Sequence, residues 1–441
     1  MQSIDNLCGL DECMKNVFKT VVICGIGSIL EWYDFSLFGT LASAIAKNFF
    51  YSKNGSEALF LVFATFATGF LLRPLGGVFF GHIGDRAGRK KALSMTIIFM
   101  ALSTTLIGII PTYQKIGIIA PTLVILMRLL QGISVSGEYP SAIALMVELA
   151  PPSKKGLISS FSIFGTVAGI LLGSIVVTIT TKLLTNNEFY SWGWRIPFLL
   201  SFPLGVLGLY LRYKIQESSV FQTLLISNNI KKTPVIDVIK QKPKELIGGL
   251  GIFILSNVSF YTVFVYLNTY IASTEHHLLQ NVLLINTANM LFLVILIPFF
   301  GALSDRYNKY HIMFFGAAGI FILTYPLFVI IDNGGIIAFL FAQTTFALFH
   351  AMFIGPIAIC LAELFPSNIR VSGLSLILNI AASIFGGTAP LIATYLIHLT
   401  KMPIAASYYL VFCAMVAVVS AIYLKHLHKV NEERIEAYEI S

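Results

Sequence analysis

The chain has 441 residues, of which 56% are hydrophobic and only 11% charged, with a mean hydropathy of +0.83. That balance lies far outside the norm for soluble domains and excludes a water-soluble globular protein. The net charge of +8 needs no nucleic-acid partner, because basic loops facing an anionic leaflet account for it.

Each bilayer crossing takes about 20 apolar residues, and the apolar runs point to twelve spans. They fall near 18–47, 58–80, 91–110, 117–147, 156–181, 194–213, 246–272, 279–300, 311–331, 335–361, 371–397 and 403–425. A polar leader with Asp5, Asp11 and Glu12 precedes the first span, and Glu31 and Asp34 sit in its middle. No cleavable signal peptide carries acids there, so the amino terminus is expected to be retained. In GSILEWYDFSLFG the two carboxylates lie three residues apart, about 60° apart on one helix face. Two ionised acids one turn apart repel, and a proton on either relieves the repulsion.

The second span carries Arg73 seven residues before its end. That places the guanidinium root about 10 Å deep by helical rise, too deep for easy snorkelling. The turn GHIGDRAGRK follows. It puts Asp85 near the start of span three, where a helix dipole favours a carboxylate, with Arg86 and Arg89 placed to bridge to helix ends of the other half. Lys90 and Lys91 read as positive-inside anchors. In span four, Arg128, Gln131, Val135 and Glu138 recur at heptad spacing in RLLQGISVSGEYPSA, a polar stripe expected to line a cavity.

An ionised group at bilayer depth costs at least about 2.5 kcal/mol and is functional by default. Glu31, Asp34 and Glu138 are therefore candidate proton-coupling residues. Arg73, Arg128 and Gln131 are candidates to hold an anionic group of the substrate or to tune the acids. The structural alternative is that these charges pair and brace the first half.

The longest hydrophilic stretch, about 214–245, contains Lys231, Lys232, Lys240, Lys242 and Lys244 with little apolar periodicity, and reads as a surface-lying cytoplasmic linker. It divides an amino-terminal six-helix bundle, 1–213, from a carboxy-terminal one, 246–425, which is followed by a cytoplasmic tail, 426–441. Spans in the second half offer no comparable acid. Asn257, Tyr261 and Asn268 in span seven, His350 in span ten, and Ser375, Asn379 and Ser383 in span eleven are neutral polar groups. Asn257, Tyr261 and Asn379 are the candidate substrate contacts, although any one of them can instead serve as a helix-to-helix hydrogen bond.

Two echoes point to internal duplication. GALSDRYNK at 301–309 repeats the basic turn 220 residues later, and Glu148-Leu-Ala-Pro recurs as Glu363-Leu-Phe-Pro after 215 residues. Asp85, Arg86, Arg89, Glu148, Asp305, Arg306, Glu363 and Arg370 then form a candidate cytoplasmic gate whose ion pairs break and re-form. With both termini cytoplasmic, 21 of the 29 Lys and Arg fall on the inner side, six outside and two within the membrane, which satisfies the positive-inside rule. Five cysteines without paired spacing suggest neither disulfide nor metal site. No nucleophile with its base and no phosphate loop appears, so the chain does not read as an enzyme.

These motifs resemble the major facilitator superfamily, whose signature loop is matched by Gly81, Asp85, Arg86, Gly88 and Arg89. More narrowly, GSILEWYDFSLFG, RPLGGVFFGHIGDRAGRK, RLLQGISVSGEYPSA, SWGWRIPF and FPSNIRVSGLSLILNIAASIFGGTAPLI look like the metabolite:proton symporter family. SWGWRIPFLLSFPLGVLGLYLRYKIQESSVFQ and NVSFYTVFVYLNTY look most like its proline/betaine transporter branch. The chain departs from the family at Ser136, at Ser218-Ser219 and in the second loop at 305–308, and osmosensing by the long carboxy-terminal coiled coil of some members is not expected.

The resemblance implies an all-α integral membrane protein of the major facilitator fold, with twelve transmembrane helices in two six-helix bundles. It also implies proton-coupled symport of a small organic solute by alternating access in the inner (plasma) membrane, the proton being the coupling ion and no cofactor being required. A zwitterion such as proline or glycine betaine is the expected solute. A carboxylate of the shikimate, oxoglutarate or citrate type is the alternative, a proton-antiport exporter a third reading, and a membrane receptor the reading from another class. No oligomer is required.

Overall fold

The computed structural model describes residues 2–50, 55–268, 271, 279–402 and 404–440. Among the described residues there is no strand, and eleven helices are long and apolar enough to cross a membrane. The twelfth expected span, 58–80, is broken into two helices, α3 (Gly55–Leu71) and α4 (Arg73–Arg86). Pro74 causes the break, since its missing N–H withdraws one bond from the preceding turn, while Leu72 stays in the right-handed helical region at φ −89°. Twelve membrane helices in two bundles are the architecture of the chain.

α1 (Gln2–Thr40) begins well before residue 18, so the leader continues into the first span, and α2 (Ala42–Phe49) completes it. The side chains of Asp5, Asp11 and Glu12 lie outside the described residues, as does the end of the span expected over 246–272. Next come α5 (Arg89–Ile109), α6 (Ile119–Leu149), α7 (Lys155–Leu183) and α8 (Arg195–Tyr213). The linker is less superficial than expected. It folds α9 (Ser219–Ile226), which Ser218 caps by accepting from the Phe221 amide at 3.1 Å, and α10 (Pro234–Gln241). Phe221 and Val238 are buried, on apolar faces too short to show as periodicity in the sequence.

α11 (Pro243–Phe260) runs into a wider π turn over Tyr261–Tyr266, and α12 is Leu279–Leu303. The spans Lys309–Asp332 and Gly334–Ala362 are joined at Gly335, whose φ of +64° only glycine adopts freely. α13 (Arg370–Ala381) passes through a second π turn, Ala382–Gly386, into α14 (Ala389–Thr400), and α15 (Ala405–Ile440) carries the last span and the tail as one helix.

Two compact units result. Unit 1 comprises 1–152, 161–235 and 367–375, and unit 2 comprises 153–160, 236–366 and 376–441. Two short segments are thus exchanged relative to a division of the chain at its linker. Within unit 1, glycines set the helix spacing. A Cβ at Gly132 would stand 2.2 Å from the Gly69 carbonyl oxygen, and one at Gly137 would stand 2.3 Å from the Phe80 ring. Because backbone cannot yield at Gly69, Gly132→Val is expected to lower stability by about 3 kcal/mol or more, read as a fall in the thermal midpoint in detergent. Gly25→Ala, where nothing lies within 4 Å, is expected to leave it unchanged.

The motif SWGWRIPF also has a structural account. Trp194 is fully buried against Phe49 and Phe198, and Arg195 donates to the carbonyls of Gly108 and Ile110 at 2.5 and 2.9 Å. The guanidinium thereby satisfies the orphan acceptors at the end of α5.

Candidate functional site

Four helices of unit 1 bring together a buried polar cluster. Glu138 on α6 pairs with Arg212 on α8 at 2.7 Å, and the two side chains are 0% and 1% exposed. Ser28 of α1 donates to the second Glu138 oxygen at 3.1 Å, and Thr96 of α5 donates to the oxygen that Arg212 holds, at 3.4 Å. Glu31 accepts from Ser134 at 3.1 Å, and Ser134 also donates to the Thr96 carbonyl at 2.6 Å. The other Glu31 oxygen is buried with no hydrogen-bond partner. Glu31 lies within electrostatic reach of both Glu138 and Arg212. Asp34, one turn further along α1, accepts from Ser201 of α8 at 2.5 Å.

Arg212 is the functional candidate that sequence reasoning missed. At the last turn of its span it reads as one more positive-inside charge, yet it folds inward on Glu138. Gly27, one turn away from Glu31, makes the space for it: a Cβ there would stand 2.3 Å from the Arg212 tip.

The polar stripe of α6 does not line open space. Arg128, Gln131 and Glu138 are 0% exposed and Val135 only 3%. Arg128 donates to Gln131 at 2.7 Å, and Gln131 donates on to Thr104 at 2.6 Å. The Arg128 guanidinium also lies over the rings of Phe35, Phe38 and Phe66 at 4.6 to 4.9 Å. These two candidates are therefore held in a packed aromatic setting. Arg73, 4% exposed at the start of α4, likewise lies over aromatic rings, those of Phe70, Phe35 and Trp32.

In unit 2, Asn257 and Tyr261 meet Gly386. A Cβ there would stand 3.0 Å from the Asn257 side-chain oxygen and 3.2 Å from the Tyr261 ring. Both π turns, Tyr261–Tyr266 and Ala382–Gly386, lie at this contact, and such turns recur at functional sites. Asn257 also donates to the Phe253 carbonyl at 3.0 Å, and Asn379, buried, lies two residues before Ala381, where α13 ends. His350 bonds to Ser259 at 2.7 Å. Asn268 belongs instead to an amide network in which Gln343 donates to it and to Asn286, and accepts from Asn289. Gln343, Asn286 and Asn289 escaped sequence reasoning because isolated amides in long apolar runs carry no spacing signal.

The cytoplasmic turns are built alike in the two units. Asp85 is not held by the dipole of α5. Its carboxylate accepts the backbone N–H groups of Val371 and Ser372, at 3.1 and 2.8 Å, in the first turn of α13. Asp305 in turn accepts from the N–H groups of Gly156 and Leu157, at 2.6 and 2.9 Å, in the first turn of α7. Each aspartate thus fills a helix N-terminus where orphan donors and the positive dipole end converge. Burial raises both carboxyls above the usual range. Arg89 and the amide donors oppose that shift at Asp85, and the amide donors oppose it at Asp305.

Arg89 is fully buried beside Asp85. It donates to the carbonyls of Gly84 and Ser367 and pairs with Glu148 at 2.9 Å, and Glu148 also takes Arg370 at 2.9 Å and the Ser218 hydroxyl at 2.6 Å. Glu363 pairs with Lys155 and Lys309 rather than with an arginine. Arg86 is exposed beside His82, and Arg306 is exposed without an ion pair among the described residues.

Residues 20–245 match the family profile described as sugar (and other) transporter, and residues 250–438 match that of the major facilitator superfamily. The proline/betaine transporter of Salmonella typhimurium strain LT2 is 34% identical over 417 residues, covering 92% of this chain and 83% of that protein. The glycine betaine/proline/ectoine/pipecolic acid transporter OusA of Dickeya dadantii strain 3937 is 35% identical with the same coverage. Among solved structures, the proton:xylose symporter XylE bound to 6-bromo-6-deoxy-D-glucose matches with a TM-score of 0.77 at 17% identity, covering 94% of this chain and 96% of that one. The chain is a multi-pass membrane transporter that belongs to the major facilitator superfamily, as a relative of its proline/betaine transporters.

Proposed function

We propose that this transporter imports a small zwitterion, of the proline or glycine betaine kind, together with a proton, by alternating access. The observation that carries the solute is the 34% identity, over 92% of the chain, to a protein named for proline and betaine transport. Charge balance in the buried cluster supports the proton. Glu31 and Glu138 share one cation, Arg212, so a single proton neutralises the set. A neutral cluster costs less to enclose than a charged one, and this difference ties proton binding to closure around the substrate. Asp34 is the second acid able to carry a proton.

Arg73, with Arg128 and Gln131 behind it, serves the substrate in the amino-terminal half, and Asn257, Tyr261 and Asn379 serve it in the carboxy-terminal half. The six-helix halves, 1–213 and 246–425, move about the linker, 214–245, and the tail, 426–441, stays on the inner side. The contacts of Asp85, Arg89, Glu148, Asp305, Glu363 and Arg370 break and re-form at the inner face of the plasma membrane. Arg86 and Arg306, being exposed, are free to join them in another state.

The test is uptake of labelled proline, glycine betaine, oxoglutarate and shikimate into proteoliposomes under an inward proton gradient, with an uncoupler control. Saturable, uncoupler-sensitive uptake of a zwitterion is expected. Uptake confined to an acid would favour the second reading, a carboxylate symporter, which the two buried arginines Arg73 and Arg128 support. Glu31→Gln is expected to reduce gradient-driven accumulation to the uncoupled level while solute exchange continues. If Glu31→Gln and Asp34→Asn both keep full gradient-driven uptake, the proton assignment fails.

A further inference from the structure

Arg73 sits in a box of aromatic faces. Its guanidinium carbon is 4.2 Å from the Phe70 ring centroid, 4.8 Å from that of Phe35 and 5.8 Å from that of Trp32. All three lie within the roughly 6 Å reach of a cation–π contact. The rings stand at steep angles to one another, 69° between Trp32 and Phe35 and 78° between Phe35 and Phe70, so they wall different sides of one space instead of stacking. Phe35 is fixed from elsewhere in unit 1 by the Arg128 guanidinium at 4.6 Å and by Phe66 at 5.9 Å. Phe35 and Phe70 are buried, whereas Trp32 is only half-buried, and its indole N–H is sequestered with no acceptor. Such three-sided aromatic boxes are the physical means of recognising quaternary ammonium groups.

We infer that the Trp32, Phe35 and Phe70 box is the site of the substrate's quaternary ammonium group, and that the Arg73 guanidinium is its resident plug. The inference rests on the zwitterion reading above. A trimethylammonium group entering the box displaces the guanidinium, which then pairs with the carboxylate of the same molecule. A zwitterion supplies both halves of this exchange, so the buried charge is unchanged when it binds. A plain carboxylate leaves the box without its second cation, and a plain quaternary ammonium expels Arg73 with no anion to meet it. The box therefore selects for molecules that carry both charges at short separation, which reconciles a buried arginine with a substrate of zero net charge.

The test is ligand binding to the purified full chain, followed by thermal stabilisation and tryptophan fluorescence, with glycine betaine and tetramethylammonium as probes. Phe70→Leu, which removes one face, is expected to weaken glycine betaine about tenfold. Arg73→Ala is expected to shift the two probes in opposite directions, weakening glycine betaine and tightening tetramethylammonium, each about tenfold. A merely structural Arg73 would weaken both, and that result, or no change in either, overturns the exchange. Trp32→Phe, a milder change, is expected to keep the fold, lower the affinity for glycine betaine about threefold and abolish its fluorescence signal. Wild-type protein that binds glycine betaine as tightly as Phe70→Leu and Trp32→Phe do overturns the box but leaves the substrate reading standing. Wild-type protein that binds no zwitterion overturns both.

Discussion

Arg212→Ala is expected to destabilise the transporter by about 3–5 kcal/mol, because it leaves the Glu138 carboxylate buried without its cation. The geometry makes the loss hard to repair: the pair is 2.7 Å long, both side chains are at most 1% exposed, and among the described residues no other cation bonds to Glu138. Glu138→Gln should cost less, since Glu31 lies within reach of the orphaned guanidinium. Removing both partners at once, with Glu138→Leu and Arg212→Met, should restore stability to within about 1–2 kcal/mol of wild type, because neither charge then has to be desolvated. Thermal unfolding in detergent reads all three. Uptake separates bracing from coupling. A double variant that folds but accumulates nothing under a proton gradient places the cluster in the transport cycle, while full accumulation would reduce it to a brace. Gly27→Ala offers an independent probe, since the new methyl would press on the Arg212 tip from 2.3 Å and displace it without removing any charge.

The membrane helices and their number were legible because burial in lipid demands long apolar runs, and such runs survive in one dimension. Even there, the split of the second span at Leu72 was readable only from Pro74, a single residue. The acids of the cluster were legible for the same reason, as charges inside apolar helices cannot be accidental. Their partner was not. Arg212 stands where an inward-folding arginine and an arginine facing lipid headgroups look identical in sequence, and only the three-dimensional approach of α1 to α8 distinguishes them. Arg128 shows the opposite failure. Its heptad partners suggested a polar stripe along a cavity, but Phe35, Phe38 and Phe66 come from other helices to enclose it. The echo of the basic turn at 301–309 was readable, yet the amide groups that each aspartate accepts lie nearly 150 or more residues away in the chain.

Asp85→Ala is expected to suppress transport and to lower stability by about 2–6 kcal/mol. It would strand the Val371 and Ser372 amides, each at about 1–3 kcal/mol for a buried donor left unmet. Asp305→Ala removes the matching contacts to Gly156 and Leu157, but Asp305 is only half-buried, so water can replace them in part and the loss should be smaller. Acidity offers a finer test at Asp85. Burial, opposed by Arg89 and the two amides, raises its carboxyl above the ordinary value near about 3.9. The folded chain therefore holds the proton at pH values where the unfolded chain has released it. The linkage sign follows: the contribution of this group to stability is greatest below the ordinary pKa and declines as pH rises through the raised folded value. Asp85→Asn is fixed in a neutral form and lacks this slope. The thermal midpoint of the wild type minus that of Asp85→Asn should fall as pH rises above the ordinary carboxyl value of about 3.9. A difference that instead rises with pH would mean that the Arg89 and amide contacts outweigh burial, with the Asp85 carboxyl held below its ordinary range.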